Sequence, residues 1–382
     1  MRDAQAVRHV ERIGGRQWLR SHEDSEFDEM GARVLRFVDE LRVDESAFRF
    51  RYSASCGVAT LYASAYACMT YSLLRRLPDL KEVQKRQWIE YFDSFQSAKD
   101  GLFYDPAVEN DLYPNTDWWG ARHLALHMIS AYTDLGGRPR YPFRFLLPYY
   151  DRGYIKNWLD AQKWETNEIG MGDIDNMIMN VGSLLQYQRD HWADSAAGDA
   201  VGYLKKYLLR KINSATGLWG GFNTESPEQR SRMVQFGYHV LPLYFYDGFF
   251  EFDHDRIVDL VLRTQNRLGG FGVRLNSSAC EDIDSIDLLI RFAPYVGEQR
   301  KSDIDAALMR ACGWVLCNRS VEGGFLFRLF EPFTYGHKET SSLKNEGAML
   351  PTWFRTLSLA YLTRHFSNSS AFAITRCPGC EF

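Results

Sequence analysis

The chain has 382 residues, of which 45% are hydrophobic, and it carries a formal net charge of −4 at pH 7. This apolar content is enough to bury a large core, whereas the mild acidic excess argues against nucleic-acid binding through phosphate contacts. Seven cysteines, an odd number, favour a reducing compartment over a disulfide framework, and no apolar leader opens the chain, so we predict a cytoplasmic protein.

Apolar residues recur at helical spacing along the chain and strand signals are weak, so we predict an all-α protein. Some of the predicted helices have one charged face and one apolar face. These are expected to form an outer layer, because a charged face requires water. In chain order they cover 27–42, 81–96, 150–164, 199–212, 253–265 and 302–318.

The remaining predicted helices are apolar on nearly all sides and are therefore expected to be buried. In chain order they cover 55–74, 117–132, 175–188, 234–246, 284–295 and 345–363. Their starts recur at intervals of roughly 60 residues, which indicates a repeated unit. Six helices of each kind in strict alternation predict a single (α/α)6 toroid of six inner and six outer helices. We place it at 26–366, after an N-terminal extension at 1–25 and before a C-terminal tail at 367–382.

A motif at the turns of this repeat resembles one found in a known superfamily. The segment 263–272, RTQNRLGGFG, is similar to the repeat motif of terpenoid cyclases and protein prenyltransferase β subunits. In that motif a glutamine near the end of an outer helix precedes a turn with glycine and an aromatic residue. Gln96, Gly101 and Phe103 resemble the same pattern more loosely. The resemblance implies the toroid fold and is only weakly specific for any chemistry.

A second resemblance concerns an acidic motif at the start of a predicted inner helix. Class II terpene cyclases, such as squalene–hopene cyclases, carry Asp-x-Asp-Asp there, and the middle aspartic acid protonates an alkene or epoxide. Asp282 and Asp284 match the first two carboxylates, while Ser285 replaces the third. The resemblance implies Asp284 as the proton donor, with Asp282 or Asp287 tuning its pKa. The alternative is that Asp282 or Asp284 only caps the helix.

The starts of the inner helices should surround one mouth of the toroid and collect the ligand-binding residues there. The predicted substrate-binding residues are Asp117, Trp118, Trp119, Asp173, Asp175, Tyr238, His239, His337 and Asn345. Aromatic residues near this mouth suit a carbocation, and the leading hypothesis is a terpenoid-cyclase-like enzyme acting on an isoprenoid. Paired carboxylates, Asp117 with Asp175 or Asp284, support a carbohydrate-active (α/α)6-barrel enzyme as an alternative. A non-catalytic toroid that binds a ligand or partner is the third hypothesis.

We expect neither a metal nor another cofactor. The prenyltransferase branch binds zinc through Asp, Cys and His, and Cys280, Asp282 and His337 offer these residue types, but the order of the Cys and Asp is reversed. Motifs for nucleotide binding and serine hydrolysis are missing from the sequence. The expected partner is a small molecule, an isoprenoid or alternatively a glycan. Peripheral contact with a membrane surface is compatible with an apolar substrate, and the sequence does not fix the oligomeric state.

Overall fold

The computed structural model describes residues 5–9, 24–44, 48–164, 174–220, 223–367 and 371–379. Helices dominate this part of the chain, and its strands form a single short antiparallel pair, β1 (Phe333–Thr334) and β2 (Ser341–Ser342). The prediction of an all-α protein is therefore confirmed. In chain order the α-helices are α1 (Asp24–Glu40), α2 (Leu61–Leu73), α3 (Glu82–Asp93), α4 (Ala121–Asp134), α5 (Arg152–Asp160), α6 (Ile174–His191), α7 (Ser195–Leu209), α8 (Pro227–Val240), α9 (Pro242–Phe245), α10 (His254–Leu262), α11 (Ala279–Phe292), α12 (Glu298–Cys317) and α13 (Met349–Phe366). Short 3-10 helices cover Leu77–Asp79, Arg144–Tyr150, Ala293–Tyr295 and Lys338–Thr340.

Six of these helices form a closed inner ring. Helix α2 packs on α4, α4 on α6, α6 on α8, α8 on α11, and α11 on α13, which returns to α2. The helices α1, α3, α5, α7, α10 and α12 alternate with them along the chain. Several of these pack on the inner ring from outside, including α7 on α6, α10 on α11, and α12 on both α11 and α13. The predicted toroid of two concentric helical layers is confirmed.

Burial follows the division that the sequence patterns predict. In the inner helix α2 every residue except Ser72 is buried, which agrees with its almost wholly apolar sequence. The outer helix α10 buries Ile257, Val258, Leu260 and Val261 on one face and leaves charged residues on the other. A helix apolar all round can be stable only where protein surrounds it, so the patterns alone sort the helices into layers.

Two inner helices begin earlier than predicted, because polar caps precede them. The hydroxyl of Ser226 accepts a hydrogen bond from the backbone N–H of Gln229, and Pro227 occupies the first helical position, so α8 begins there and not at 234. Ser278 and Glu281 form a reciprocal capping box, so α11 begins at Ala279 and not at 284. Asp282 and Asp284 therefore lie inside the helix, and neither caps it.

Three other inner helices begin later than predicted. Helix α2 begins at Leu61 and not at 55, because the side chain of Thr60 caps it by accepting a hydrogen bond from the backbone N–H of Ala63.

Before the other two, the chain turns through left-handed backbone. Asp117 has a φ of 54° and Gly120 a φ of 110°, so α4 starts only at Ala121. Asn345 has a φ of 65°, and α13 starts at Met349. Such values are incompatible with a right-handed helix, so both predicted starting residues lie in turns at the mouth of the ring.

The glutamines of the repeat motif connect neighbouring parts of the outer layer. The side-chain amide of Gln265 donates to the carbonyl oxygens of Gly269 at 2.9 Å and Ala307 at 2.8 Å, the latter in α12. Gln96 likewise donates to the carbonyl oxygens of Gly101 and Tyr141, each at 2.8 Å. Each glutamine thus satisfies buried backbone groups in its own turn and in the next element, which is a structural role.

The C-terminal segment 371–379 packs against the ring at the end opposite the mouth. The backbone N–H of Ala373 donates to the carbonyl oxygen of Leu73 at 2.9 Å, at the end of α2. The hydroxyls of Thr375 and Ser72 lie 3.3 Å apart. The thiol of Cys377 accepts a hydrogen bond from Thr133, in the last turn of α4, at 3.5 Å. This segment therefore covers the C-terminal ends of inner helices.

The turn after α10 requires glycine, and this yields a prediction. Gly269 has a φ of 99°, and a Cβ there would overlap the carbonyl oxygen of Arg310. Gly136 has a φ of 72° with nothing within 4 Å of such a Cβ. Gly136→Ala should therefore lose only the left-handed strain of about 1–2 kcal/mol. Gly269→Ala should lose about 1–3 kcal/mol more, because the backbone must also shift.

Urea unfolding followed by far-UV circular dichroism measures both free energies of unfolding. An equal loss in Gly269→Ala and Gly136→Ala would contradict the close packing of this turn against α12.

Candidate functional site

The three predicted acidic residues lie buried along α11, but each has a different environment. Asp282 is in the first turn of the helix, Asp284 in the second, and Asp287 one turn beyond Asp284. A buried carboxyl is costly unless it is paired with a charge, fully hydrogen-bonded or protonated. The partners of each carboxyl therefore decide what it can do.

Asp282 crosslinks four parts of the fold. One carboxylate oxygen accepts hydrogen bonds from Arg355 of α13 and from Trp314 of α12, both at 2.9 Å. The other oxygen accepts from the hydroxyl of Ser277 at 2.7 Å and from the backbone N–H of Phe271 at 3.0 Å. Since four donors surround this carboxylate, it has a structural role that the sequence did not reveal.

Asp287 is held in an ion pair within its own helix. The Nε of Arg291, four residues later, donates to both of its carboxylate oxygens, at 2.8 and 3.0 Å. Both side chains are buried. Burial raises the pKa of Asp287, and the guanidinium of Arg291 opposes this effect, so the carboxyl group of Asp287 is engaged by its own helix and is not free for a ligand.

Asp284 differs from both neighbours. Its side chain is buried, with the residue 4% exposed, and within the described residues no hydrogen bond or ion pair engages its carboxyl group. Burial raises its pKa well above the ordinary value, and the carboxylates of Glu281, Asp175, Asp287 and Asp282 raise it further. Both effects favour the protonated, uncharged form of this carboxyl group.

Asp284 lies on the wall of a cavity at the mouth of the ring. The cavity has a volume of about 340 Å³ and lies between α8, α11 and the segment 327–335. Its walls are largely apolar and carry the rings of Trp118, Phe327, Phe333 and Tyr335. Phe327 and Phe333 stack with ring centroids 3.7 Å apart, and Trp118 meets Tyr335 edge to face at 6.1 Å. The one unpaired carboxyl of α11 thus faces a space lined by aromatic rings.

Asp175, another predicted site residue, is engaged from two sides. It is fully buried and accepts hydrogen bonds from Arg232 at 2.7 Å and from Nδ1 of His239 at 2.7 Å. Burial alone would raise its pKa, but Arg232 and His239 outweigh this effect and hold the pKa well below the usual range. Arg232 lines the cavity, so the structure brings Asp175 and His239 together one contact behind its wall.

The adjacent residues Asp117, Trp118 and Trp119 have separate environments. Asp117 pairs with Arg122 at 3.2 Å, and Trp118 lines the cavity. Trp119 is buried and stacks on Tyr62, with ring centroids 5.3 Å apart. Only the middle one of the three residues is available to a ligand in the cavity.

The remaining predicted ligand residues lie outside the cavity wall. His337 stacks on Trp119 at 6.3 Å, and its Nε2 lies 2.6 Å from a carboxylate oxygen of Glu109. Tyr238 adjoins His239 on α8, and Asn345 is exposed in its turn. Asp173 lies outside the described residues. Their roles in binding stay predictions.

Below the cavity, aromatic and imidazole rings fill the interior of the ring. The centroids of His123 and His127 are 4.5 Å apart, and His127 lies edge to face against Tyr66 and Trp353. Burial lowers the pKa of His127 to about 3, so its imidazole is neutral. The hydroxyl of Tyr335 lies 3.4 Å from both ring nitrogens of His123. Because Tyr335 also lines the cavity, it lies between the cavity and this packed interior.

Several residues of the site are not among those predicted from the sequence. Arg232 and Tyr335 line the cavity, and Arg355 holds Asp282. Arg355 offered a signal, since an arginine in the middle of the largely apolar helix α13, far from its basic last turn, must find a buried partner. Arg232 and Tyr335 offered no comparable signal.

The described residues contain no group of three or more His, Cys, Asp or Glu side chains placed to hold a metal ion. Two of the three residues of zinc-binding type have other partners: Asp282 is bound by Arg355, and His337 contacts Glu109. Among the helices of the described residues, none has the length and apolar character needed to cross a membrane.

Comparisons with known proteins give similarity at the level of structure. No protein-family model matches the chain, and no curated protein matches it either. A variant of the type II terpene cyclase MstE from Scytonema, in complex with geranylgeranyl dihydroxybenzoate, matches with a TM-score of 0.50 and 10% identity. That match covers 89% of this chain and 97% of the cyclase.

Two further solved structures are similar to the chain. The ent-copalyl diphosphate synthase from Streptomyces platensis matches with a TM-score of 0.45 and 12% identity over 81% of this chain, which spans 50% of the length of that enzyme. The GH76 α-mannanase BT2949 from Bacteroides thetaiotaomicron matches with a TM-score of 0.47 and 9% identity, covering 92% of this chain and 97% of the mannanase. At these identities the comparisons speak to the fold, and the chain has a terpenoid-cyclase-like α/α toroid fold.

Proposed function

We propose that the protein is a terpenoid-cyclase-like enzyme that initiates cyclisation of an isoprenoid by protonating a carbon–carbon double bond with Asp284. One observation carries this proposal: a buried carboxyl group, unpaired among the described residues, faces a cavity walled by aromatic rings. Its position in the acidic motif of α11 is the position that the resemblance to class II cyclases assigns to the acid.

The proton transfer balances without a further reactant. The O–H bond of Asp284 breaks, and the π electrons of the alkene form a new C–H bond, which leaves a tertiary carbocation and an aspartate. The raised pKa favours the protonated form of Asp284, which is the form that can donate the proton. In a dry cavity the new carboxylate and carbocation attract each other more strongly than in water, which offsets the weakness of the acid.

The aromatic wall suits the cation that this step creates. Trp118, Phe327, Phe333 and Tyr335 present ring surfaces to the cavity. The face of an aromatic ring attracts a cation by about 0.5–2 kcal/mol, with the larger value in desolvated sites. The substrate in the MstE complex, geranylgeranyl dihydroxybenzoate, carries an isoprenoid chain, and its binding to a toroid of this fold supports the proposed substrate class.

The carbohydrate alternative is less well supported by the geometry. It needs an acid and a base that flank a glycosidic bond, and the candidate pairs are Asp117 with Asp175 or Asp284. Asp117 is paired with Arg122, and Asp175 is held by Arg232 and His239. Asp284 lacks a second free carboxyl of the predicted set beside it, which favours the cyclase.

The first test is the substitution Asp284→Asn. Asn cannot donate the proton, so turnover of the substrate should fall by about 100- to 10,000-fold. Because nothing in the described residues holds the carboxyl of Asp284, the substitution should not destabilise the fold. The reaction is followed by mass spectrometry of products from linear isoprenoid alcohols, hydrocarbons and diphosphates of several chain lengths.

Asp282→Asn, one half-turn away on the same helix, is the matched control. It weakens a buried pair with Arg355 and should cost up to about 3 kcal/mol of stability, unlike Asp284→Asn. Equal product from wild type and Asp284→Asn would eliminate Asp284 as the acid. The absence of any product from wild type would reject the isoprenoid substrate class.

A pH titration of stability tests the protonation state of Asp284 independently of turnover. The raised pKa means that the native state keeps a proton that the unfolded state loses above about pH 4. The stability of wild type should therefore fall relative to Asp284→Asn as pH rises above about 4 and until the native group ionises.

Asp175→Asn should show the opposite sign. The lowered pKa of Asp175 gives wild type a stability advantage that is present above about pH 4 and is lost as pH falls below it. Urea unfolding between acid and neutral pH measures both differences. A pH-independent difference between wild type and Asp284→Asn would show that Asp284 has an ordinary pKa.

A further inference from the structure

The charges around the cavity indicate what kind of polar end its ligand can have. The ionisable side chains on the wall, apart from the thiol of Cys280 and the phenol of Tyr335, are Arg232, Arg328, Glu228, Glu281 and Asp284. A prenyl diphosphate carries several negative charges and binds through unoccupied cationic side chains, metal ions or helix N-termini. A site for a diphosphate therefore needs at least one of these three kinds of partner.

Both guanidinium groups at the wall are already neutralised. Arg232 is bound by both carboxylate oxygens of the buried Asp175, and it also donates to the side-chain oxygen of Gln235 at 3.3 Å. Arg328 donates to a carboxylate oxygen of Glu281 at 2.9 Å and to the carbonyl oxygen of Asn276 at 2.7 Å. Each guanidinium would have to leave a carboxylate before it bound a phosphate.

The N-termini of α8 and α11, the two helices that line the cavity, are also occupied. At α11 the hydroxyl of Ser278 accepts from the N–H of Glu281, and the Glu281 carboxylate accepts from the backbone N–H of Ser278 at 2.8 Å. At α8 Ser226 caps the helix, and Glu228 lies in its first turn. Both N-terminal dipoles thus face an acidic side chain of their own helix.

The balance of charge at the wall is negative. Arg232 and Arg328 are matched by Asp175 and Glu281, and this leaves Glu228, together with Asp284 whenever it ionises. No acidic or imidazole cluster fit to hold a metal ion occurs in the described ranges, so a bridging cation has no evident ligands there. A diphosphate at this mouth would meet repulsion, because like charges in a partly dry site interact strongly.

We infer that the site takes an isoprenoid whose polar end is uncharged, such as an alcohol or a phenol, and that it discriminates against prenyl diphosphates. This inference rests on the proposed function. The neutral hydrogen-bonding groups at the wall that can meet such an end are the side chains of Ser231, Gln235 and Ser285. The amide oxygen of Gln235 accepts from Arg232, so its amide nitrogen is the group left to donate, and the hydroxyl of Ser285 donates to the carbonyl oxygen of Glu281, so it is left to accept. A hydroxyl pairs with such groups without the loss of a salt bridge.

The volume of the cavity indicates which ligand to use in a binding experiment. An engineered cavity of about 150 Å³ holds one benzene, that is six carbons, so about 340 Å³ corresponds to roughly 14 carbons. A chain of three isoprene units, farnesyl, is the nearest isoprenoid. Farnesol and farnesyl diphosphate share this chain and differ only in the polar end, so their difference in affinity isolates the headgroup.

The experiment is isothermal titration calorimetry of the full chain with farnesol and with farnesyl diphosphate, each with and without Mg²⁺ at low ionic strength. We expect farnesol to bind at least about tenfold more tightly, with or without Mg²⁺. Glu228→Gln removes one exposed wall charge and should strengthen diphosphate binding roughly threefold while leaving farnesol binding unchanged. Ser231→Trp, which places a large ring at the cavity wall, should abolish farnesol binding.

Each outcome of these titrations either supports or overturns the inference. Diphosphate affinity equal to or above that of farnesol, under either metal condition, overturns the uncharged headgroup and leaves Asp284 as the proposed acid untouched. Farnesol binding that persists in Ser231→Trp places the ligand elsewhere and also overturns the inference. If neither ligand binds wild type, the proposed isoprenoid function fails together with the inference.

Discussion

The cavity wall depends on one buried ion pair, that between Asp282 of α11 and Arg355 of α13. Arg355 is fully buried, and it also donates to the carbonyl oxygens of Leu326 and Phe327, at 2.9 and 3.1 Å. The same carboxylate holds Trp314 of α12 and the turn at Phe271. One pair therefore fixes the relative positions of three helices and of the segment that supplies Phe327 to the cavity. Removal of either partner leaves an uncompensated buried charge, so this wall has little freedom to rearrange.

The acidic motif shows how environment divides roles among identical side chains. Asp282, Asp284 and Asp287 lie within six residues on one helix, and all three are buried. Arg355 and three further donors satisfy the first, and Arg291 satisfies the third. Asp284 is left without a compensating partner in the described part of the chain, so its pKa is raised. The acid role proposed for Asp284 therefore depends on the fact that its neighbours use the available donors.

The architecture could be predicted from sequence because the two layers have different patterns. A helix buried on all sides, such as α2, is apolar nearly throughout, whereas a helix with one face in water, such as α10, combines apolar and charged residues at helical spacing. Two helix starts differ from the prediction although their signals are present: Ser278 with Glu281 is a capping box, and Pro227 after Ser226 is a favoured first turn. The site was harder to predict. Trp118 lines the cavity while its neighbour Trp119 is buried in the packing, and no local pattern distinguishes them.

For a related reason, the partners of the acidic residues could not be predicted from local sequence patterns. Asp282 binds Arg355, and Asp175 binds Arg232, so each pairing joins different inner helices and becomes visible only when the ring closes. A motif in the sequence shows where carboxyl groups are concentrated. The protonation state of each depends on which cations the fold brings to it, and a short segment does not contain that information.

The same ion pairs support both the acid proposed for the reaction and the uncharged headgroup inferred for the ligand. Asp175 neutralises Arg232, which would otherwise offer a cation to the cavity and so stabilise the ionised form of Asp284. In its paired state Arg232 contributes little net charge, and the carboxylate of Asp175 raises the pKa of Asp284. Glu281 acts similarly, because it binds Arg328 and also raises that pKa. A wall whose arginines are matched by carboxylates thus favours the protonated form of Asp284 and, among the described residues that line the cavity, leaves no guanidinium free for a phosphate. The acid proposed for the reaction and the uncharged ligand inferred for the cavity therefore rest on one arrangement of charge.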